Sequence, residues 1–168
     1  YRQISWIGNA PRDLWLRIFA DADFAGCLRT TRSTSGLYLE LYGPNSKFPQ
    51  AAQSKRQTAI STCTTEAEMI AAALALRSEG IPFQMLWDDV FLGLKLRTEP
   101  IPLVLLEDNE AMIQICRTSN TTKLRHLSRT HKVNAGWVRE QTFMNTENNV
   151  TIASIKTKEK ATDIYTKR

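Results

Sequence analysis

Residues 14–26, Leu-Trp-Leu-Arg-Ile-Phe-Ala-Asp-Ala-Asp-Phe-Ala-Gly, constrain the fold more than any other stretch of the chain. An apolar, β-prone run there ends in Asp21 and Asp23 and passes into a glycine turn. The pattern predicts a buried strand that delivers carboxylates to one edge of a sheet. It recurs at 101–109, where a short apolar run set off by prolines ends in Glu107-Asp108-Asn109.

The remaining segments can be placed on this frame. Residues 35–42 alternate loosely as a second strand closed by Gly43-Pro44-Asn45, and residues 57–61 offer a third, so the front of the chain reads as an antiparallel meander. Residues 65–80 are the strongest helix signal, with Thr65 as N-cap candidate, early acids, strong helix formers and Gly80 as terminator. Further helices are expected at 82–94, 109–117 and 124–141, a last strand at 150–155, and the start of another helix at 161–168. Strands first, then strands alternating with helices, imply a mixed α/β sheet flanked by helices.

With 168 residues, 42% of them hydrophobic, the chain suffices for one compact core. Residues 1–13 read as a connector and 14–168 as the domain, a piece of something longer. No unbroken apolar run of membrane-spanning length and no signal pattern occurs, so no membrane partner is expected. Three cysteines without CxxC or Cys/His spacing favour neither a disulfide framework nor zinc, and suggest a reducing, intracellular setting.

Net charge is +5, with basic residues gathered at 29–32, at Lys55 and Arg56, and through 123–132. Single acids sit at the ends of apolar runs. A polyanion-binding surface beside a small acidic centre is the pattern of a metal-dependent nuclease. Four acids fall where secondary structure can aim them together: Asp21 and Asp108 at strand ends, Glu68 in the first turn of the best helix, and Asp163 near the last helix start. Oxygen ligands of this kind suit Mg²⁺, and two such ions stabilise the attacking and leaving oxygens of a phosphodiester displacement. Asp23, on the same strand face as Asp21, reads as a turn cap with a spare metal ligand as the alternative, Glu66 as a favourable first-turn acid facing away from Glu68, and Glu107 as pointing to the opposite strand face from Asp108.

Six short motifs now carry a resemblance: Asp-Ala-Asp-Phe-Ala-Gly-Cys at 21–27, Arg-Ser-Thr-Ser-Gly at 32–36, Ser-Lys-Arg-Gln-Thr-Ala at 54–59, Thr-Glu-Ala-Glu at 65–68, Glu-Asp-Asn at 107–109 and Thr-Asp-Ile-Tyr-Thr-Lys at 162–167. Together, and in order, they resemble the ribonuclease H domain of copia-type LTR retrotransposon polyproteins. The resemblance implies a ribonuclease H-like fold with a five-stranded mixed sheet. It also implies an endonuclease that hydrolyses the RNA strand of RNA/DNA hybrids with two Mg²⁺ ions, Mn²⁺ being the alternative. Asp21, Glu68, Asp108 and Asp163 would be the catalytic metal ligands, an adjoining reverse transcriptase domain the partner, and cytoplasmic retroelement particles the location.

Departures from the family pattern are Thr162 for the usual Ala and the extra Ser-Arg-Thr-His-Lys at 128–132, which leaves His126 and His131 as alternatives for proton transfer. Arg32, Ser35, Lys55, Arg56, Asn109, Arg125, Arg129 and Lys132 are candidates for nucleic-acid contacts, with Asn109 suited to reading a 2′-hydroxyl. Trp15, Trp87 and Trp137 fall in apolar or amphipathic stretches and are expected to pack in the core. Rival readings are a decayed hybrid-binding module, a scaffold for the polymerase, and a DNA nuclease on the same fold.

Overall fold

In the structure, a computed structural model, residues 4–118, 124, 126–145 and 147–156 are described. The strands are β1 (Trp6–Ile7), β2 (Trp15–Asp23), β3 (Thr34–Gly43), β4 (Ser46–Arg56), β5 (Leu103–Glu107) and β6 (Val150–Ser154), arranged in one sheet in the order β1-β4-β3-β2-β5-β6. β1 to β4 pair antiparallel as a meander, whereas β2–β5 and β5–β6 are parallel. The sheet is mixed, as expected, but has six strands rather than five. The extra strand comes from the presumed connector: Trp6 and Ile7 pair with Lys47 and Ser46, and the Ser46 hydroxyl accepts from the Gly8 and Asn9 N–H groups at 2.9 and 3.1 Å. No helix among the described residues is long and apolar enough to cross a membrane.

Alternation along β2 and β3 explains their placement. Leu16, Ile18 and Ala20 pair with Leu41, Leu39 and Leu37, and all six are fully buried in the core. Burying a side chain such as Leu or Ile contributes about 1.5–3 kcal/mol, so these pairs fix the register, since a one-residue slip would turn them all to the other face. The opposite face carries Trp15 against Tyr42, Arg17 against Glu40 and Phe19 against Tyr38. Glu40 is fully buried there, and the Arg17 guanidinium both pairs with it and lies 3.5 Å over the Tyr42 ring. A buried carboxylate persists when such a partner holds its charge.

The third strand differs from expectation: it is β4, and residues 57–61 lie beyond it. The chain leaves the sheet at Gln57, which is buried and whose amide nitrogen donates to Ser35 Oγ at 3.0 Å and to the Ala67 carbonyl at 2.9 Å. The Gln57 N–H still donates to the Ser33 carbonyl at 2.9 Å, and its side chain joins this end of the meander to the first helix.

That helix, α1 (Thr64–Ala75), does not stop at Gly80. It passes through a π-helical segment, Leu76–Gly80, into α2 (Ile81–Gly93). α1 is buried nearly all round because the sheet lies on one side and later helices on the other. Gly80 marks a close approach and is not a terminator: a Cβ there would lie 3.3 Å from Leu103 Cδ2 and 3.5 Å from Ile18 Cδ1. α3 (Glu110–Thr118) follows β5, its Met112 N–H capped by Asn109 Oδ1 at 2.9 Å.

The expected helix over 124–141 is broken into α4 (Leu127–Thr130) and α5 (Ala135–Arg139), followed by a π-helical turn, Glu140–Met144. Lys132 adopts a φ of 58° between them, and Asn134 caps α5 by accepting from Gly136 N–H. Glu66 fastens this basic segment to α1. Buried in the first helical turn, it accepts from Thr62 N–H at 2.8 Å and from the Thr62 hydroxyl, and it meets His126 Nε2 at 3.2 Å and His131 Nε2 at 3.3 Å. Burial pushes its carboxyl up, but the hydrogen bonds from Thr62 and the contact with His126 outweigh that and hold it below the ordinary carboxylate range.

Two outcomes follow. Gly80→Val forces a branched side chain against Leu103 and Ile18 and should cost about 1–3 kcal/mol, read as a lower urea midpoint. Because the folded carboxyl of Glu66 is depressed, its stabilisation is fully present above the ordinary carboxylate range and is lost as pH falls through its folded value. Glu66→Gln should therefore cost about 1–3 kcal/mol at neutral pH, and the gap between the two urea midpoints should narrow on acidification.

Candidate active site

β2 and β5 run in the same direction side by side, Leu16 to Phe19 in register with Leu103 to Leu106, so both strands end at the same edge of the sheet. The two acid endings are thereby brought together. Asp21 sits in β2 opposite Gly36 of β3, and Asp108 is the first residue past β5. Glu107 shapes that exit: it is fully buried, and its Oε1 accepts the N–H groups of both Asp108 and Asn109 at 3.1 Å. It aims the next residue from below, which alternation along the strand alone does not reveal.

α1 supplies the third acid, Glu68, from its first turns. Asp21, Glu68 and Asp108 each offer a carboxylate oxygen, and these atoms all lie within 4.8 Å of one another. Asp21 is 8% exposed and Glu68 7%, so two of the three are largely withdrawn from water. Carboxylate oxygens are hard donors, the chemistry that Mg²⁺ or Mn²⁺ takes, and neither thiolate nor imidazole belongs to the group. The donor set fits a divalent cation. Asp163, the fourth expected ligand, lies outside the described residues, as does Arg125.

Asp23 does not join the acids. Its carboxylate fills the turn, where a Cβ on Gly26 would fall 1.7 Å from Asp23 Oδ2, so it shapes the loop after β2. Both histidines are on Glu66 and outside the three-carboxylate group. They differ in access to water: the His126 side chain is 41% exposed and that of His131 is 1% exposed. Glu66, read from the sequence as a bland helix-start acid, is thus a buried tie, and no local sequence signal distinguishes it from Glu68.

The nucleic-acid candidates separate into groups. Ser35, Lys55, Arg56 and Lys132 line one cavity beside α1, where they are joined by Arg77, which sequence reasoning missed. Ser35 is buried and accepts from Gln57. Arg32 and Arg129 are exposed on the loop before β3 and on α4. Asn109 spends its oxygen on capping α3, which leaves its amide nitrogen for any ligand. Trp87 and Trp137 pack against the core, and Trp15 meets Tyr42 edge-on with ring centroids 5.1 Å apart.

No protein-family model and no curated protein sequence matches the chain. Solved structures do. It is similar to a ribonuclease H1, LC11, isolated from compost by a metagenomic approach, with a TM-score of 0.55, 12% identity, and coverage of 90% of this chain and 91% of that one. It is also similar to the N-terminal ribonuclease H domain of Rv2228c from Mycobacterium tuberculosis, with a TM-score of 0.52, 14% identity and 91% coverage of each chain. At these identities the likeness speaks to architecture: the chain has the ribonuclease H-like fold, a mixed sheet with flanking helices, and gathers three carboxylates at one sheet edge.

Proposed function

We propose that this chain is a ribonuclease H that hydrolyses the RNA strand of RNA/DNA hybrids during reverse transcription of a copia-type retroelement. The observation that carries the reading is the convergence of Asp21, Glu68 and Asp108 from three separate elements on one point. The fold shared with two ribonucleases H and the six ordered sequence motifs support it. The nuclease domain would take in β1 together with residues 14–168, and would be joined to a polymerase of the same polyprotein in cytoplasmic particles.

Asp21, Glu68 and Asp108 would hold the divalent cations, two Mg²⁺ ions in this reading, with Asp163 as a further ligand. Bound there, the cations would supply charge neutralisation at the phosphate and activation of water. The residues themselves do the placing: β2 and β5 fix two carboxylates from below and α1 brings the third from the side, so little rearrangement is needed to seat a cation. Proton transfer by a histidine falls to His126, whose ring reaches solvent, while the buried His131 braces Glu66. Arg32, Arg125 and Arg129 would follow the phosphate backbone by charge, and the amide nitrogen of Asn109 would donate to a 2′-hydroxyl.

The test is cleavage of a strand-labelled RNA/DNA hybrid with Mg²⁺, with Mn²⁺ and with EDTA, beside DNA duplex and single-stranded RNA. The expected outcome is loss of the RNA strand of the hybrid alone, dependent on metal and leaving 5′-phosphate ends. Asp21→Asn and Asp108→Asn should each lower the rate by more than about 100-fold, the upper end of what loss of a mere supporting group at a metal site costs. Arg129→Gln should leave the maximal rate intact and flatten the salt dependence of binding by about one phosphate contact. Cleavage of DNA duplex instead, or hybrid binding without turnover in either metal, would overturn the reading.

A further inference from the structure

A cavity of about 210 Å³ opens where the end of β4 meets α1 and the turn between α4 and α5. None of the three clustered carboxylates lines it. Four cations do, Lys55, Arg56, Arg77 and Lys132, and none of them forms an ion pair among the described residues. Like charges drawn from three separate segments to one opening repel one another, and a bound anion would offset that repulsion. Arginine and lysine together suit phosphate: the guanidinium fork can bond two of its oxygens, and the ammonium adds a point charge.

The lining narrows the ligand beyond a bare anion. The floor is apolar, made by Ile70, Ala73, Leu74 and Val133, which favours a ligand with a compact body behind its charge. His131 also lines the cavity, with its side chain only 1% exposed and its Nε2 3.3 Å from Glu66. Arg77 is already oriented, its guanidinium 5.0 Å from the centre of the Trp137 ring.

We propose that this cavity binds a phosphate group carried on a compact, partly apolar body, a chemistry that a single nucleotide unit supplies. The volume admits one such unit and excludes a duplex. The proposal rests on the nucleic-acid reading of Lys55, Arg56 and Lys132, but not on catalysis. The nucleotide can come from the solution or from an unpaired end of a strand, and the two sources share this chemistry.

The experiment is a titration in EDTA, followed by calorimetry and by the NMR shift of the Trp137 indole N–H, so that no cleavage can intervene. The probes are deoxyadenosine monophosphate, deoxyadenosine, inorganic phosphate, and a short single-stranded oligothymidylate as competitor. The monophosphate should bind at least about tenfold more tightly than either half of it alone and should move the Trp137 signal. Arg77→Gln should weaken it by about fivefold or more, and so should Lys132→Gln, whose exposed site does not burden folding. Lys95→Gln, at an exposed position outside the cavity, should leave it unchanged. Displacement by the oligonucleotide assigns the phosphate to a strand, and its failure to compete assigns it to a free nucleotide. Absence of monophosphate binding at millimolar concentration, affinity no better than that of inorganic phosphate, or indifference to both substitutions would overturn the proposal, whatever the outcome of hybrid cleavage.

Discussion

Parallel pairing of β2 with β5 is the constraint on which the rest of the structure depends. Antiparallel neighbours would end at opposite edges of the sheet, but these two finish together, and their chemistry-bearing ends are separated by the distance between adjacent strands. Parallel neighbours need a crossover, and here the intervening chain runs out through the meander and returns through α1 and α2. The long helical return is therefore tied to the carboxylate cluster: it is the connection that the parallel pair demands, and Glu68 rides on it.

The helix can serve in this way because its residues are small. Ala67, Ala71, Ala72, Ala73 and Ala75 are all buried, so the α1 backbone can approach the sheet and the overlying helices closely. Close approach leaves little room for polar side chains, and those that enter are tied down: Glu66 by Thr62 and the histidines, Gln57 by Ser35 and Ala67. Each tie also joins one segment of chain to another. Glu66 links the helix start to the basic segment, and Gln57 links the meander to the helix.

What the sequence made legible was whatever depended on local periodicity. Residues 35–42 and 150–155 alternate or run apolar, and the corresponding strands lie within a residue of that placement, whereas the first strand, read as Leu14 to Ala20, runs on to Asp23. Asp21, Glu68 and Asp108 were legible as a group because each sits at the end of such an element. The rest was hidden for physical reasons. Gly80 carries the composition of a helix stop, but its role is set by Leu103, twenty-three positions away, which no local window contains. Residues 57–61 look strand-like, yet the strand ends with β4, and the buried Gln57 side chain bonds to Ser35 and Ala67, partners that lie outside any local window. Glu66 and Glu68 are chemically alike, and only the position of the histidines tells them apart. The break at Lys132 requires a positive φ in a residue that does not advertise one.

The outer flank of the meander bears on how such a domain behaves when crowded. β1 covers only two positions of the eleven-residue β4, and among the described residues no other strand pairs with the rest of that edge. An open edge invites the strand of another molecule. This one is poorly suited to accept it: the pairing with β3 skips a residue at Gln50, Pro49 lacks a backbone donor beside that bulge, and Lys55 and Arg56 are exposed at its end. The irregularity in β4 thus guards the domain against templated stacking of its own copies, a hazard that a smoother and more regular strand would carry.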